Sequence, residues 1–237
     1  MSFTSLGRLA AVLGLLLLSA CSTFGPNVPL RSDFWTQTDR TLTVALAPLP
    51  DLKAHRAGQQ GLLDVAINEA MADELTTALR TIRLSDSYGQ ARSEVVRRMQ
   101  ERGIKAKFVE TGIDPSALES FSTEDKSRLY ASKDFRPLKP SVGTDRLLVF
   151  TVTQVGTMRS YYGFIPISRP RAILNARAEL VDLNTNEVLW RDTTSQNAEI
   201  ADPWDQPPEF TNVHAAVQKV IADSRKELLD KLFGAVK

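Results

Sequence analysis

Hydrophobic residues recur at two spacings along this chain, every second residue in some stretches and every third or fourth in others. The first spacing is typical of strands and the second of helices. In order, the predicted elements are a strand at 41–47, helices at 62–80 and 90–102, an edge strand at 105–110, a helix at 123–133, strands at 147–155, 172–183 and 187–194, and a helix at 209–233. This order predicts a single α+β domain in which helices pack on a mainly antiparallel sheet.

Local signals add detail at three places. Residues 48–61 contain two prolines and two glycines, which predicts a loop. The start of 147–155 is apolar at successive positions, as in a central strand covered on both faces. Residues 122–125 read Ser-Thr-Glu-Asp, an N-cap followed by acidic first-turn residues, which favours the helix at 123–133.

Residues 1–20 have the composition of a secretory leader. Arg8 supplies positive charge, and residues 9–18 form an apolar run shorter than the roughly 20 residues of a membrane span. The run ends in Leu18-Ser19-Ala20-Cys21, which resembles the lipobox of bacterial lipoproteins. The resemblance implies that residues 1–20 are a signal peptide and that Cys21 carries a diacylglycerol and an N-terminal acyl chain. An ordinary cleaved leader followed by an unmodified cysteine is the alternative.

Lipidation would decide where the protein resides. Two or three acyl chains anchor a protein durably, because each buried methylene contributes about 0.8 kcal/mol. After the leader, no stretch reaches the roughly 18 apolar residues of a spanning helix, so the lipid is the predicted membrane attachment. Ser22 stands where an aspartate would resemble the inner-membrane retention signal. By that resemblance, the chain is predicted to sit in the cell envelope on the outer membrane, facing the periplasm.

Residues 21–40 are predicted to be the lipidated cysteine and a flexible tether ahead of a domain at 41–237. The segment is rich in Ser, Thr, Pro and Asn and shows no sustained hydrophobic period. Fully extended, it would reach about 60–70 Å. Phe34 and Trp35, near its end, are expected to dock on the domain.

Composition excludes several functional classes. Of the 237 residues, 43% are hydrophobic and 24% are charged, which is ordinary for a folded domain. Basic and acidic residues balance once the leader is removed, which argues against nucleic acid as a partner. One cysteine allows no intrachain disulfide, and two histidines, His55 and His214, leave little material for a metal site. No metal and no cofactor other than the acyl chains is therefore predicted.

Three stretches together carry a family resemblance. They are the strand ending at Pro48, the segment 142–149 with its Gly-Thr-Asp, and the segment 178–190 with its Asp-Leu-Asn-Thr turn and terminal Leu-Trp. In this order they resemble the periplasmic α/β domain of curli-secretion and penicillin-binding-protein-activator lipoproteins. The motifs are structural, and Trp190 is expected to fill the core. The resemblance implies a fold, whereas a function does not follow from a fold.

Catalytic chemistry finds little support. His214, Ser195 and Asp202 could be imagined as a hydrolase triad, but the sequence contains no Gly-x-Ser-x-Gly elbow. His55 lies in the predicted polar loop without a second ligand nearby. No catalytic residue is assigned, and the prediction is that the protein is not an enzyme.

Two surface stretches could bind a partner. Residues 92–107 carry excess positive charge, which predicts a solvated helix face or, alternatively, a contact for anionic lipid headgroups or an acidic partner. Residues 159–171 join two strands yet are rich in large apolar side chains, which is unusual for a hairpin tip. Exposed, they would form an interface; folded back, they would cap the sheet. The candidate partner-binding residues are Arg159, Tyr161, Tyr162, Phe164, Ile165 and Arg169.

The leading hypothesis is therefore a non-enzymatic, lipid-anchored accessory protein of an envelope assembly or cell-wall system. It would dock an envelope protein, or a second copy of itself, through residues 159–171. The alternative is a small-ligand or lipid-binding carrier, which predicts a closed apolar cavity of several hundred Å³ between sheet and helices.

Overall fold

A mixed sheet lies at the centre of the computed structural model, which describes residues 25–37, 39–58 and 73–234. Its strands are β1 (Thr41–Leu46), β2 (Lys53–Ala57), β3 (Lys105–Phe108), β4 (Arg146–Tyr162), β5 (Ile165–Pro166), β6 (Arg171–Asp182) and β7 (Val188–Glu199). The helices are α1 (Asp73–Leu79), α2 (Leu84–Glu101), α3 (Lys139–Val142) and α4 (Thr211–Phe233). The α+β class and the single domain are confirmed. Cys21, the leader and the first part of the predicted helix at 62–80 lie outside the described residues.

The long strand β4 organises the sheet, whose main order is β3-β1-β4-β6-β7. β4, β6 and β7 are antiparallel neighbours, as the sequence predicted. β1 runs parallel to both β3 and β4, so the sheet is mixed. The edge strand predicted at 105–110 is confirmed as β3.

The predicted loop at 48–61 is wrong in part, because residues 53–57 form β2. This strand pairs in parallel with the second half of β4, from Lys53 opposite Gly156 to Ala57 opposite Ser160. β1 pairs with the first half of the same edge. β1 and β2 therefore lie end to end along the same edge of β4. The hydrogen bonding to β4 is interrupted between them because Pro48 and Pro50 lack backbone N–H groups.

The two faces of the sheet have separate cores. On one face, α2 and α4 pack against alternate residues of β4 and β6, including Leu148, Phe150 and Leu174. On the other, Leu147 and Val149 meet the segment 113–142. β4 is thus covered on both sides, as its apolar start predicted, and Trp190 is buried in the first core.

The predicted helix at 123–133 is wrong. The same polar side chains that suggested a helix cap make local turns instead. Thr123 Oγ1 accepts from the backbone N–H of Asp125 at 3.2 Å, and Asp125 Oδ1 accepts from that of Ser127 at 2.8 Å. Short polar side chains can form hydrogen bonds with nearby backbone groups that compete with the hydrogen bonds of a helix. In this segment the side-chain hydrogen bonds form instead of the helical ones.

The tight turn between β6 and β7 holds this irregular segment in place. Asn186 adopts a positive φ of 66° and is fully buried. Its Oδ1 accepts from the backbone N–H of Phe135 at 2.9 Å, and its Nδ2 donates to the carbonyls of Ala131 and Lys133. Asn186, which lies in the segment 178–190 of the family resemblance, therefore fixes the chain that covers the second core.

The N-terminal segment lies against the domain from residue 26 to residue 36. Val28 forms a β-bridge with Arg191 of β7, and a 3-10 helix spans Ser32–Thr36. Phe34 is buried, and Trp35 packs on Phe233 with 5.9 Å between ring centroids. Docking of these two aromatic residues, expected from the sequence, is confirmed.

A buried tyrosine between α2 and α4 gives a test of this packing. Tyr88 Oη lies 2.9 Å from Ser224 Oγ, and burial raises the pKa of Tyr88 from 10.0 to about 12. Above pH 10 the unfolded chain loses this proton while the folded chain keeps it, so the free energy of unfolding falls as the pH rises from 10 to about 12. We expect Tyr88→Phe to show a shallower decline than the wild type in denaturant titrations across this interval. Equal slopes would contradict the assignment.

Candidate functional site

The segment 159–171 forms a closed hairpin that extends beyond the sheet. Tyr162 and Ile165 pair across it, and Gly163 at its tip has a φ of 60°. The backbone N–H of Ile167 donates to the carbonyl of Ser160 at 2.9 Å. Arg159 Nε donates to the carbonyl of Ser168 at 2.8 Å. These bonds fix the shape of the loop from within.

Large apolar side chains project from this hairpin into solvent. Tyr162 is 70% exposed, Phe164 60%, Ile165 53% and Ile167 64%. We call these four side chains the hairpin surface. The hairpin is therefore exposed and does not fold back to cap the sheet. Ile167 was not among the candidate residues, although its place in the same apolar run was the available signal.

The other candidates lie at the foot of the hairpin. Tyr161 is half-buried between two guanidinium groups, with Arg56 6.0 Å and Arg159 5.9 Å from its ring centroid. Arg159 also covers the ring of Trp204 at 4.9 Å. Arg169 is exposed and pairs with Asp202 at 2.6 Å. Arg56 and Trp204 were missed in the sequence, because only the fold brings β2 and the proline-rich loop at 203–208 to this place.

Close packing holds β2 against the hairpin. A Cβ atom at Gly58 would lie 2.0 Å from the carbonyl oxygen of Tyr161, and Gly58 has a φ of 111°. Only glycine fits this approach. The hairpin is thus supported by the end of β2 on one side and by Trp204 on the other.

A cavity of about 280 Å³ opens beside the hairpin. Its walls combine the aromatic rings of Tyr161, Trp204 and Phe210 with the charged side chains of Arg56 and Glu74. This cavity is smaller and more polar than the closed apolar cavity that the carrier hypothesis predicts.

The imagined triad is not assembled. His214 Nε2 lies 3.0 Å from the carbonyl of Ala78 on α1. Ser195 donates to Asn175 Oδ1 at 2.7 Å, while Asp202 pairs with Arg169. The other histidine, His55, lies on β2 with Nε2 3.0 Å from the carbonyl of Val155, and burial lowers its pKa.

Three basic residues of the stretch 92–107, namely Arg92, Arg97 and Arg98, form ion pairs with nearby glutamates. Hydrogen bonds from Arg97 and then Arg98 lower the pKa of Glu94 to about 2. Arg92 is buried and pairs with Glu110 at 2.9 Å. This arrangement agrees with a solvated, ion-paired helix face.

Comparisons with known proteins concern the fold. No family model and no curated protein matches the sequence. Among solved structures, a Xanthomonas campestris protein shares 13% identity at a TM-score of 0.37, covering 80% of this chain and 81% of its own. The lipoprotein GNA1162 of Neisseria meningitidis shares 16% identity at a TM-score of 0.32, over 78% and 99%. The LpoB C-terminal domain of Salmonella enterica shares 12% identity at a TM-score of 0.22, over 78% and 91%. One of these neighbours is a lipoprotein, and all three are distant likenesses of fold alone.

Within residues 25–37, 39–58 and 73–234, no helix is both long and apolar enough to cross a membrane. The same residues contain no cluster of three or more His, Cys, Asp or Glu side chains that could hold a metal ion.

Proposed function

We propose that the protein is a non-enzymatic lipoprotein, anchored by Cys21 to the outer membrane, that docks an envelope protein in the periplasm through its hairpin surface. The observation that carries the proposal is the exposure of four large apolar side chains on a hairpin whose backbone is hydrogen-bonded internally. Exposed apolar clusters on soluble domains mark interaction sites. A preformed loop loses little conformational entropy on binding.

The residues beside the hairpin suit the same role. Tyrosine, tryptophan and arginine are the side chains that most often dominate binding energy at interfaces. Tyr161, Arg159 and Trp204 lie together at the foot of the hairpin, beside a cavity of about 280 Å³ that can receive one partner side chain. A standard interface covers about 800 Å² per partner, which is more area than the four side chains of the hairpin surface supply. Tyr161, Arg159 and Trp204 therefore extend the contact with the partner.

The hairpin also lies far from the anchored end of the chain. Gly25, near the anchored end, lies beside Arg191. The side chain of Arg191 donates a hydrogen bond to Glu179 on β6, and in the sheet Glu179 lies opposite Val149 on β4. Val149 therefore marks the level of Gly25 along β4. From Val149 to Tyr162 the strand advances 13 residues, or about 43 Å at 3.3 Å per residue. With the long axis of the sheet upright on the membrane, the hairpin surface would face the periplasm. A protein partner fits this placement better than the anchoring bilayer.

The test is the double substitution Tyr162→Asp with Phe164→Asp. Both side chains are exposed, so the fold is expected to survive while the apolar contact is lost. A photoreactive residue at position 167 in intact cells should crosslink one defined partner, identified by mass spectrometry. The double variant should lose that product, whether it contains another envelope protein or a second copy of this chain.

Leu129 provides the matched control, because it is an exposed apolar side chain outside the hairpin. Leu129→Asp should leave crosslinking from position 167 unchanged. Unchanged recovery of the partner with the double variant would eliminate the hairpin surface as the docking site.

A further inference from the structure

A second cavity, of about 230 Å³, lies between the N-terminal segment and the β6–β7 turn. It is at the opposite end of β4 from the hairpin. Four arginines line it, namely Arg31, Arg40, Arg128 and Arg146, together with the acidic residues Asp33, Asp182 and Glu187. Positive charge therefore exceeds negative charge by one within the cavity.

Two of the four arginines are paired with carboxylates. Arg31 Nε donates to Asp33 Oδ1 at 3.0 Å, and Arg128 Nη1 donates to Glu187 Oε2 at 2.7 Å. The remaining acid, Asp182, uses Oδ1 to accept from the backbone N–H of Asn184 at 2.7 Å. One carboxylate oxygen of Asp182 is therefore used within the β6–β7 turn.

The other two arginines of the cavity, Arg40 and Arg146, donate no hydrogen bond to a carboxylate of the described residues. Among the described residues, Arg40 makes one ion-pair contact, with Asp182 at 3.9 Å. Arg146 is only 2% exposed, and its Nε and Nη1 meet no hydrogen-bond acceptor within the part of the chain that the structure describes. Its Nη2 donates to the side-chain oxygen of Gln37, and the ring of Phe34 covers the guanidinium at 4.8 Å.

The environment of Arg146 disfavours its charge. Burial, and next the positive charge of Arg40, lower the pKa of Arg146, against the opposing and smaller effects of Asp182, Asp39 and Asp145. A buried guanidinium with free donors is costly unless an anion pairs with it. The neutral amide of Gln37 supplies one acceptor but no charge.

We propose that this cavity binds a small oxyanion, a phosphate or carboxylate group, between the guanidinium groups of Arg146 and Arg40. The planar fork of an arginine matches two oxygens of such a group, and charge-assisted bonds are stronger than the bond to an amide. The oxyanion can belong to a free ion or to a phosphorylated headgroup, since the N-terminal segment that walls the cavity leads back to Cys21. This site is separate from the hairpin surface and does not depend on the proposed function.

The experiment is a calorimetric titration of the full chain, in a neutral detergent, with inorganic phosphate at neutral pH. We expect saturable binding by the wild type. Arg40→Gln and Arg146→Lys should weaken it roughly 10- to 100-fold, the loss typical of one charged hydrogen bond. Arg97→Gln, an exposed arginine paired with Glu94 and Glu101 on α2, should bind phosphate like the wild type.

Gln37→Ala keeps the test decisive if Arg146→Lys fails to fold. Removing the competing amide oxygen should strengthen phosphate binding, whereas a purely structural Arg146 would leave phosphate binding unchanged.

Acetate and glycerophosphoglycerol, the soluble headgroup of phosphatidylglycerol, distinguish the sources of the oxyanion. Tighter binding of the headgroup indicates a lipid, and tighter binding of phosphate or acetate indicates a free ion. Absence of saturable wild-type binding for all three ligands would overturn the proposal. So would wild-type affinity in Arg40→Gln.

Discussion

Replacing Cys21 with serine is expected to release the protein from the membrane and to abolish the mass added by fatty acids. Serine has no thiol to form the thioether with diacylglycerol, so neither the thioether-linked chains nor the following N-acylation can occur. Each buried methylene contributes about 0.8 kcal/mol, so the loss of two or three chains removes nearly all membrane affinity. Fractionation of cells followed by intact-mass measurement checks both results.

Ser22→Ala is the matched control, because it changes the neighbouring position and leaves the thiol. That variant should remain with the membranes and keep its fatty-acid mass. A Cys21→Ser protein that is still recovered with membranes and still carries fatty acids would contradict the lipobox interpretation. Ser22→Asp should move the anchored protein towards the inner membrane if the resemblance to the retention signal holds.

The docked N-terminal segment adds a geometric consequence to lipidation. The sequence alone suggested a tether of about 60–70 Å when extended. Because residues 26–36 lie against the domain, the chain between Cys21 and Gly25 spans at most about 14 Å. A lipid at Cys21 would therefore hold the domain close to the bilayer.

Arg191→Leu is expected to lower the free energy of unfolding by about 3–5 kcal/mol, as when one partner of a buried ion pair is removed. The side chains of Arg191 and Glu179 are 6% and 7% exposed. Arg191 Nε donates to Glu179 Oε1 at 2.9 Å, and Nη2 donates to the same oxygen. Without Arg191, the Glu179 carboxylate would remain buried, with Arg177 at 3.9 Å as its ion-pair partner among the described residues. Denaturant titration measures the loss.

The double variant Glu179→Leu with Arg191→Leu separates the ion pair from simple packing. It should recover most of the lost stability, because well-packed apolar residues replace a buried pair at little or no cost. Lys226→Leu removes an exposed partner of Asp230 and should leave unfolding near the wild type. If Arg191→Leu is as stable as the wild type, the buried pair does not support this part of the sheet.

Periodicity was most informative where one element buries a whole face. The alternation Ala172, Leu174, Ala176, Ala178 and Leu180 predicted β6, and all five side chains are buried. Such a pattern is set by each residue's own position on the pleat, so it can be read without knowing the partners. The final helix and the edge strand β3 were predicted on similar grounds.

Prediction failed where remote partners decide the conformation. Residues 53–57 carry two basic side chains and one histidine, with no apolar face, yet they become β2 because β4 offers a free edge. Residues 123–133 have good helix-start signals but form turns, with Ala131 held by Asn186, 55 positions later in the chain. Local propensity is a weak preference that tertiary contacts override.

By itself, the sequence determined the α+β class, the central place of β4 and the apolar character of the hairpin, because these follow from the spacing of side chains along single elements. It also determined the lipobox-like tetrapeptide, whose chemistry awaits the Cys21 experiment. Only the tertiary structure decided that the hairpin surface is exposed, that Arg56 and Trp204 stand beside it, and that Arg146 and Arg40 share one cavity. Those facts depend on contacts between residues far apart in the chain, which no local pattern encodes.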